Sequence, residues 1–150
     1  MPQSLACLHV HIIFSTKNRA PELLPEWQPR LHSYLGGILR AHGGKLLAAG
    51  GMPDHIHLLV SMSRDTSVSE IVRLLKSNSS GWIHATFSDR TRFAWQTGYA
   101  AFAVSYSHVA AVKSYILAQE KHHRKKSFQE ELVTFLKRHE LEYDERYLWD

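Results

Sequence analysis

Residues 51–62 read Gly51-Met52-Pro53-Asp54-His55-Ile56-His57-Leu58-Leu59-Val60-Ser61-Met62. Gly51 to Asp54 is turn chemistry, a glycine followed by a Pro-Asp pair. His55 to Met62 is apolar and predicts a strand. Side chains alternate along a strand, so His55 and His57 project from one face and Ile56 enters the opposite layer. Their Cα atoms would lie roughly 6–7 Å apart, close enough for two imidazoles to converge on one metal ion. Asp54, just before them, is placed to orient a ligand histidine. The plainer alternative is two surface histidines on a half-exposed strand, because 11 histidines make this pattern easy to come by.

The same pattern recurs upstream. Leu8 to Ser15 predicts a strand carrying His9-Val10-His11, and the basic loop Lys17-Asn18-Arg19-Ala20-Pro21 ends it. Glu26 to His42 carries Trp27, Leu31, Leu35, Ile38 and Leu39 at helical spacing, stopped by Gly43-Gly44. Lys45 to Gly50 is a short strand. A helix opens at Ser67 with Glu70 completing a capping box, and its apolar stripe is Val68, Ile71, Val72 and Leu75. It ends near Ser79-Ser80-Gly81 or continues through Trp82 and Ile83. Tyr99 to Ser105 is a further strand, and Ser107 can cap a helix running to about His122. After the basic cluster Lys121 to Lys126, Ser127 and Glu130 form a second capping box, opening a helix with Phe128, Leu132, Phe135 and Leu136.

The order β-α-β-β-α-β-α, followed by a last helix, matches an α+β, ferredoxin-like split βαβ architecture: an antiparallel sheet with helices on one face. The other face is then available for a ligand or partner. The first and third strands are neighbours in that order, so both histidine pairs can line one face. Spacing alone does not say which pair binds metal.

At 150 residues the chain suits one core. Apolar residues make up 44% of it, as in globular proteins, and no run reaches membrane-spanning length. A single cysteine, Cys7, excludes intramolecular disulfides and cysteine-rich zinc sites. No signal peptide is visible, and the cytoplasm is the expected location. Residues 1–126 hold 15 Lys/Arg against 7 Asp/Glu, and residues 127–150 hold 3 against 7. The basic body, net +8, points to a polyanion partner, and the tail is acidic, net −4. We therefore read residues 1–126 as the working domain and 127–150 as an acidic helical tail.

Tyr115 and Gln119 lie four residues apart on the expected helix, on one face, one turn apart. Val112 and Ile116 share that side. A core-edge tyrosine beside a polar neighbour is the plain reading. The functional one is a nucleophile beside an amide oxygen. A phenol has a pKa of roughly 10, so Tyr115 would need a cation or base nearby, and an amide oxygen can complete the shell of a hard metal.

Together these features resemble the single-tyrosine HUH transposases of simple bacterial insertion sequences, the TnpA type. The resemblance runs to about residue 126. It is carried by Ser15-Thr16-Lys17-Asn18-Arg19, by Met52-Pro53-Asp54-His55-Ile56-His57-Leu58-Leu59-Val60, by Leu74-Leu75-Lys76-Ser77, by Trp95-Gln96-Thr97-Gly98-Tyr99, and by Tyr115-Ile116 with Gln119 and His122-His123. Each is weak alone, and five in the right order are strong. The resemblance implies that His55, His57 and Gln119 hold a divalent metal, Mg²⁺ or Mn²⁺, with Asp54 behind them. His11 is then not a ligand. It implies Tyr115 as nucleophile and a 5′-phosphotyrosine intermediate in the cleavage and rejoining of single-stranded DNA, with hairpins recognised at element ends. It further implies a homodimer whose catalytic helix can serve the partner's site. Lys17, Arg19, Arg73 and Lys76 are candidate phosphate contacts. No membrane and no small-molecule cofactor is expected.

Other readings remain. A non-catalytic single-stranded nucleic-acid-binding module can share the architecture, although no RNP-like Gly-Phe-x-Phe run is present. A host-retained, repeat-associated HUH endonuclease would carry the same residues. A replication initiator or relaxase would use the same chemistry in a longer chain.

Overall fold

The computed structural model describes residues 2–119 and 126–150. Strand β1 (His9–Ser15) is followed by helix α1 (Gln28–Ala41), strands β2 (Lys45–Met52) and β3 (His55–Ser61), and helix α2 (Val68–Thr86). Strand β4 (Ala100–Val104), helix α3 (Val109–Leu117) and helix α4 (Phe128–Arg138) follow among the described residues. The sheet order is β2-β3-β1-β4 with every pair antiparallel, the ferredoxin-like arrangement that the element order predicts. The expected end of α3 near His122 and the basic cluster from Lys121 to Lys125 lie outside the described residues.

Alternation sorts the two faces of the sheet. Ile12 and Phe14 of β1, with Ile56, Leu58 and Val60 of β3, bury against Leu31, Leu35 and Leu39 of α1 and Ile71, Val72, Leu75 and Ile83 of α2. Each such side chain contributes about 1.5–3 kcal/mol when fully removed from water. The opposite face carries the remaining residues: Ile13 and Phe102 lie under Phe128, Leu132 and Leu136 of α4, while Ala48 and Leu59 lie under Ile116 of α3. The second face, expected to be available for a ligand or partner, is thus covered in part by the chain's own α3 and α4. The apolar stripe of the tail helix has to be buried somewhere, and Ile13 and Phe102 offer the apolar surface that takes it.

Local differences have similar causes. Strand β2 runs through Gly50 and Gly51 to Met52, and only Pro53-Asp54 turns before Met52 pairs with His55. Gly50 is a packing residue within the strand: a Cβ there would sit 2.2 Å from the Ile116 carbonyl oxygen, so α3 crosses β2 at contact distance. Helix α2 continues through Ser79-Ser80-Gly81 because Ile83 extends its buried stripe and Ser79 Oγ accepts a hydrogen bond from Trp95 Nε1 at 2.9 Å. Helix α3 starts after a 3-10 turn at Tyr106–His108, and His108, not Ser107, precedes it. The two expected caps form: Ser67 accepts from the Glu70 amide and Ser127 from the Glu130 amide, each worth about 1 kcal/mol. Among the described residues no helix is long and apolar enough to cross a membrane.

Candidate metal and tyrosine centre

The site lies on the second face of the sheet, between β3, α3 and α4. His55 and His57 both project there and are buried at 1% and 0% exposure. Their rings sit edge to face with centroids 5.2 Å apart. Each Nδ1 is engaged from behind. Asp54 Oδ1 lies 2.7 Å from His55 Nδ1, and His11 Nε2 lies 2.8 Å from His57 Nδ1. In the absence of a cation His57 Nε2 carries the proton and donates to Glu131; with a cation on Nε2, each Nδ1 would instead donate backward, to Asp54 and to His11.

The two upstream histidines therefore part company. His11 is buried behind His57, where loss of solvent, then the neighbouring His57 ring, draws its pKa down to about 3 and keeps it neutral. His9 sits at the start of β1 beside Tyr106, with ring centroids 6.1 Å apart.

Gln119 follows directly after α3 and is 2% exposed. Its Oε1 lies 3.4 Å from His55 Nε2. Tyr115 stands above the pair, its ring 6.0 Å from that of His57. Burial, and then the bond to a carboxylate, push the Tyr115 pKa well above the ordinary phenol value. This tyrosine stays protonated near neutral pH, and its partly buried hydroxyl needs a hydrogen-bond acceptor.

That acceptor is a residue that sequence reasoning missed. Glu131 of α4 is 3% exposed, and the Tyr115 hydroxyl donates to its Oε2. Its Oε1 lies 2.9 Å from His57 Nε2 and 3.8 Å from His55 Nε2. Phe128 of the same helix stacks on His55 at 4.2 Å and 15°. The signal was present: Glu131 falls three residues after Phe128 and four before Phe135, on the apolar stripe of its helix. A carboxylate in that stripe has to be paired when it is buried.

The donor set fits a divalent ion. Donor atoms of His55, His57 and Glu131 all lie within 4.8 Å of one another. Adjacent ligands of one ion, each about 2.1 Å from it, stand roughly 3 Å apart, so modest closure suffices. Two imidazole nitrogens with amide and carboxylate oxygens suit Mg²⁺, Mn²⁺ or zinc.

The candidate phosphate contacts are less uniform. Lys17 and Arg73 are exposed. The Arg19 guanidinium lies over the Trp149 ring at 5.4 Å. Lys76 Nζ donates to the carbonyls of Gln96, Thr97 and Gly98 at 2.9, 3.2 and 2.5 Å, which uses its three protons. Gln96 in turn accepts from the Ser15 amide through Oε1 at 2.7 Å. Three of the motif segments, at residues 15–19, 74–77 and 95–99, thus meet as one scaffold at the end of β1.

Comparison with known proteins places the chain in a family. The profile of the family described as "Transposase IS200 like" matches residues 4–119. The ISDra2 transposase TnpA of Deinococcus radiodurans is 26% identical over 117 residues, covering 75% of this chain and 84% of the relative. The transposase for insertion sequence element IS200 of Salmonella typhimurium is 30% identical over 114 residues, covering 73% and 74%. A crystal structure of a candidate transposase from Deinococcus radiodurans superposes with a TM-score of 0.64 at 27% identity, over 77% of this chain and 95% of that one. The REP-associated tyrosine transposase, solved with a REP hairpin, superposes at 0.55 with 18% identity, over 77% and 70%, and shares the fold. The chain belongs to the IS200-like family of single-tyrosine HUH transposases, and is a DNA transposase.

Proposed function

We propose that the protein cleaves and rejoins single-stranded DNA by metal-assisted transesterification, with Tyr115 as nucleophile and a 5′-phosphotyrosine as intermediate. One observation carries this reading: the Tyr115 hydroxyl and His57 Nε2 bond to the two oxygens of a single buried carboxylate, Glu131. Nucleophile and metal-donor atoms therefore occupy one small volume.

A divalent ion, Mg²⁺ or Mn²⁺, held by His55 Nε2, His57 Nε2 and Gln119 Oε1, would polarise the scissile phosphate and offset charge on its oxygens. The protein's own groups do the rest. Asp54 and His11 fix the two imidazoles through their Nδ1 atoms. Glu131 Oε2 takes the Tyr115 proton as the phenolic oxygen bonds to phosphorus. The P–O3′ bond breaks, and the departing 3′-oxygen recovers a proton as a free hydroxyl. The new phosphotyrosine conserves the energy of the broken diester, so a second 3′-hydroxyl can reverse the step on another DNA end without ATP.

Hairpin DNA is the preferred substrate in this reading, supported by the shared fold with the REP-associated transposase solved on a REP hairpin. Arg73 and Lys17 contact phosphates, and Tyr99 beside Lys76 offers a ring for base stacking. We include a homodimer in the proposal, to be checked by sedimentation.

The test is cleavage of labelled single-stranded hairpin DNAs in Mn²⁺, read on a denaturing gel. A slow-migrating protein–DNA band that requires Mn²⁺ and disappears in Tyr115→Phe supports the reading. Tight DNA binding with no cleavage of any substrate, in Mn²⁺ or Mg²⁺, would favour a non-catalytic binding module.

A further inference from the structure

Helix α4 lies beyond residue 119, where the family match ends, yet it inserts a carboxylate into the site. Other contacts hold it in place as well as that carboxylate. Phe128, Leu132 and Leu136 bury against Ile13 and Phe102. The chain end is held separately, the Asp150 carbonyl accepting from the Gly98 amide at 2.7 Å and from Gln96 Nε2 at 3.1 Å. Phe128 seals one side of the site by stacking on His55. The tail is thus docked at several points, and Glu131 is the residue it delivers.

The two imidazoles and the Gln119 amide are neutral ligands, so a hard divalent cation on them alone would have no anionic ligand, Asp54 standing one imidazole away. Glu131 Oε1 faces the same two Nε2 atoms, at 2.9 and 3.8 Å, on which Gln119 Oε1 also converges. Resting on the metal centre proposed above, we propose that Glu131 is a further protein ligand of the divalent ion, so that the metal fastens the C-terminal helix over the site. In that arrangement Oε1 turns from His57 to the cation while Oε2 keeps the Tyr115 hydroxyl. One side chain then ties metal, nucleophile and tail together. A metal-bound carboxylate still accepts a hydrogen bond through its second oxygen.

The experiment needs no DNA. Mn²⁺ is titrated into the full-length protein by calorimetry and by the electron paramagnetic resonance signal of free Mn²⁺. Wild type, His57→Ala, Glu131→Gln and Glu131→Asp are compared. We expect Glu131→Gln to weaken Mn²⁺ binding about tenfold or more, with Glu131→Asp between it and wild type. Amide hydrogen exchange of the wild type gives an answer that survives a poorly folded variant: adding Mn²⁺ should slow exchange across residues 128–136. Affinity changed by less than about twofold in Glu131→Gln, or exchange in α4 unchanged or faster with Mn²⁺, would overturn the assignment. The second outcome would make Glu131 a plug that the metal expels. Loss of Mn²⁺ binding in His57→Ala with none in Glu131→Gln would remove only this inference. Mn²⁺ affinity indifferent to His57→Ala would remove the underlying metal centre and this inference with it.

Discussion

Two His-x-His pairs stand on neighbouring strands of the same sheet and have different fates. On β3, His55 and His57 are both buried with Nε2 facing Gln119 and Glu131. On β1, His11 is buried behind His57 and His9 lies near the strand's end beside Tyr106. The residue pattern is identical, so it is not the pattern that makes a site. The register decides: His57 pairs with Ile13, which sets His11 diagonally behind its ring. The layer above decides the rest, since α3 and α4 deliver oxygen donors over β3.

The largest expected effect breaks the comparison outright. His57→Ala should lower DNA cleavage by roughly a thousandfold or more, about 4 kcal/mol of transition-state stabilisation, measured as single-turnover cleavage at saturating Mn²⁺. His9→Ala should leave the rate within about threefold, a change below 1 kcal/mol. Equal losses in both would contradict the division of labour between the pairs.

Next in size is His11→Leu. It removes the group behind His57 Nδ1 and should weaken Mn²⁺ binding by about 10–100-fold, the usual cost of losing the partner of a ligand histidine. Unchanged affinity would reduce His11 to packing. Gly50→Ala tests the layer above the strands. A Cβ there collides with the Ile116 carbonyl, so it should push α3 off β2, cost about 1–3 kcal/mol of stability in denaturant unfolding, and impair Tyr115 and Gln119 together. Wild-type cleavage by Gly50→Ala would mean that α3 does not need this contact.

A smaller contrast separates two basic residues of α2. Lys76→Met removes three hydrogen bonds to carbonyls and should appear mainly as lost thermal stability, about 1–3 kcal/mol. Arg73→Ala should leave stability unchanged and lower the salt dependence of DNA binding by about one unit of slope.

The last contrast is in pH dependence. Burial and His57 hold His11 at about 3, against an ordinary value of 6.5, so the unfolded chain takes up a proton there that the folded chain refuses. The contribution of His11 is full above about pH 6.5 and is lost as pH falls toward 3, with a slope of at most about 1.4 kcal/mol per pH unit. Metal-free His11→Leu should lose stability less steeply than wild type across that window, read by urea unfolding at several pH values.

Much of this was legible in the sequence. The strand period of His55 to Met62 and the capping boxes at Ser67 and Ser127 predict elements that the structure contains, because each is a local property of the chain. The convergence of His55, His57, Tyr115 and Gln119 was legible only through the family resemblance, since spacing alone left the two histidine pairs equivalent. What was not legible depends on long-range packing. Gly51 reads as turn chemistry until β2 is seen to run on to Met52, and Gly50 reads as an ordinary strand end until α3 is laid across it. The second sheet face reads as available for a ligand or partner, and the share of it taken by the apolar stripe of α4 appears only in the packed chain. Glu131 reads as one more acid in an acidic tail. Its place between Phe128, Leu132 and Phe135 was the available sign that it is buried.

The most direct measurement of the central claim is mass spectrometry of the trapped adduct. After reaction with single-stranded hairpin DNA in Mn²⁺, the adduct is digested with nuclease and trypsin. Cleavage after Lys113 and Lys121 isolates residues 114–121, whose single tyrosine is Tyr115. The account predicts a 5′-linked nucleotide on that peptide, at the tyrosine. A nucleotide on any other residue, or strand cleavage with no covalent intermediate, would contradict it.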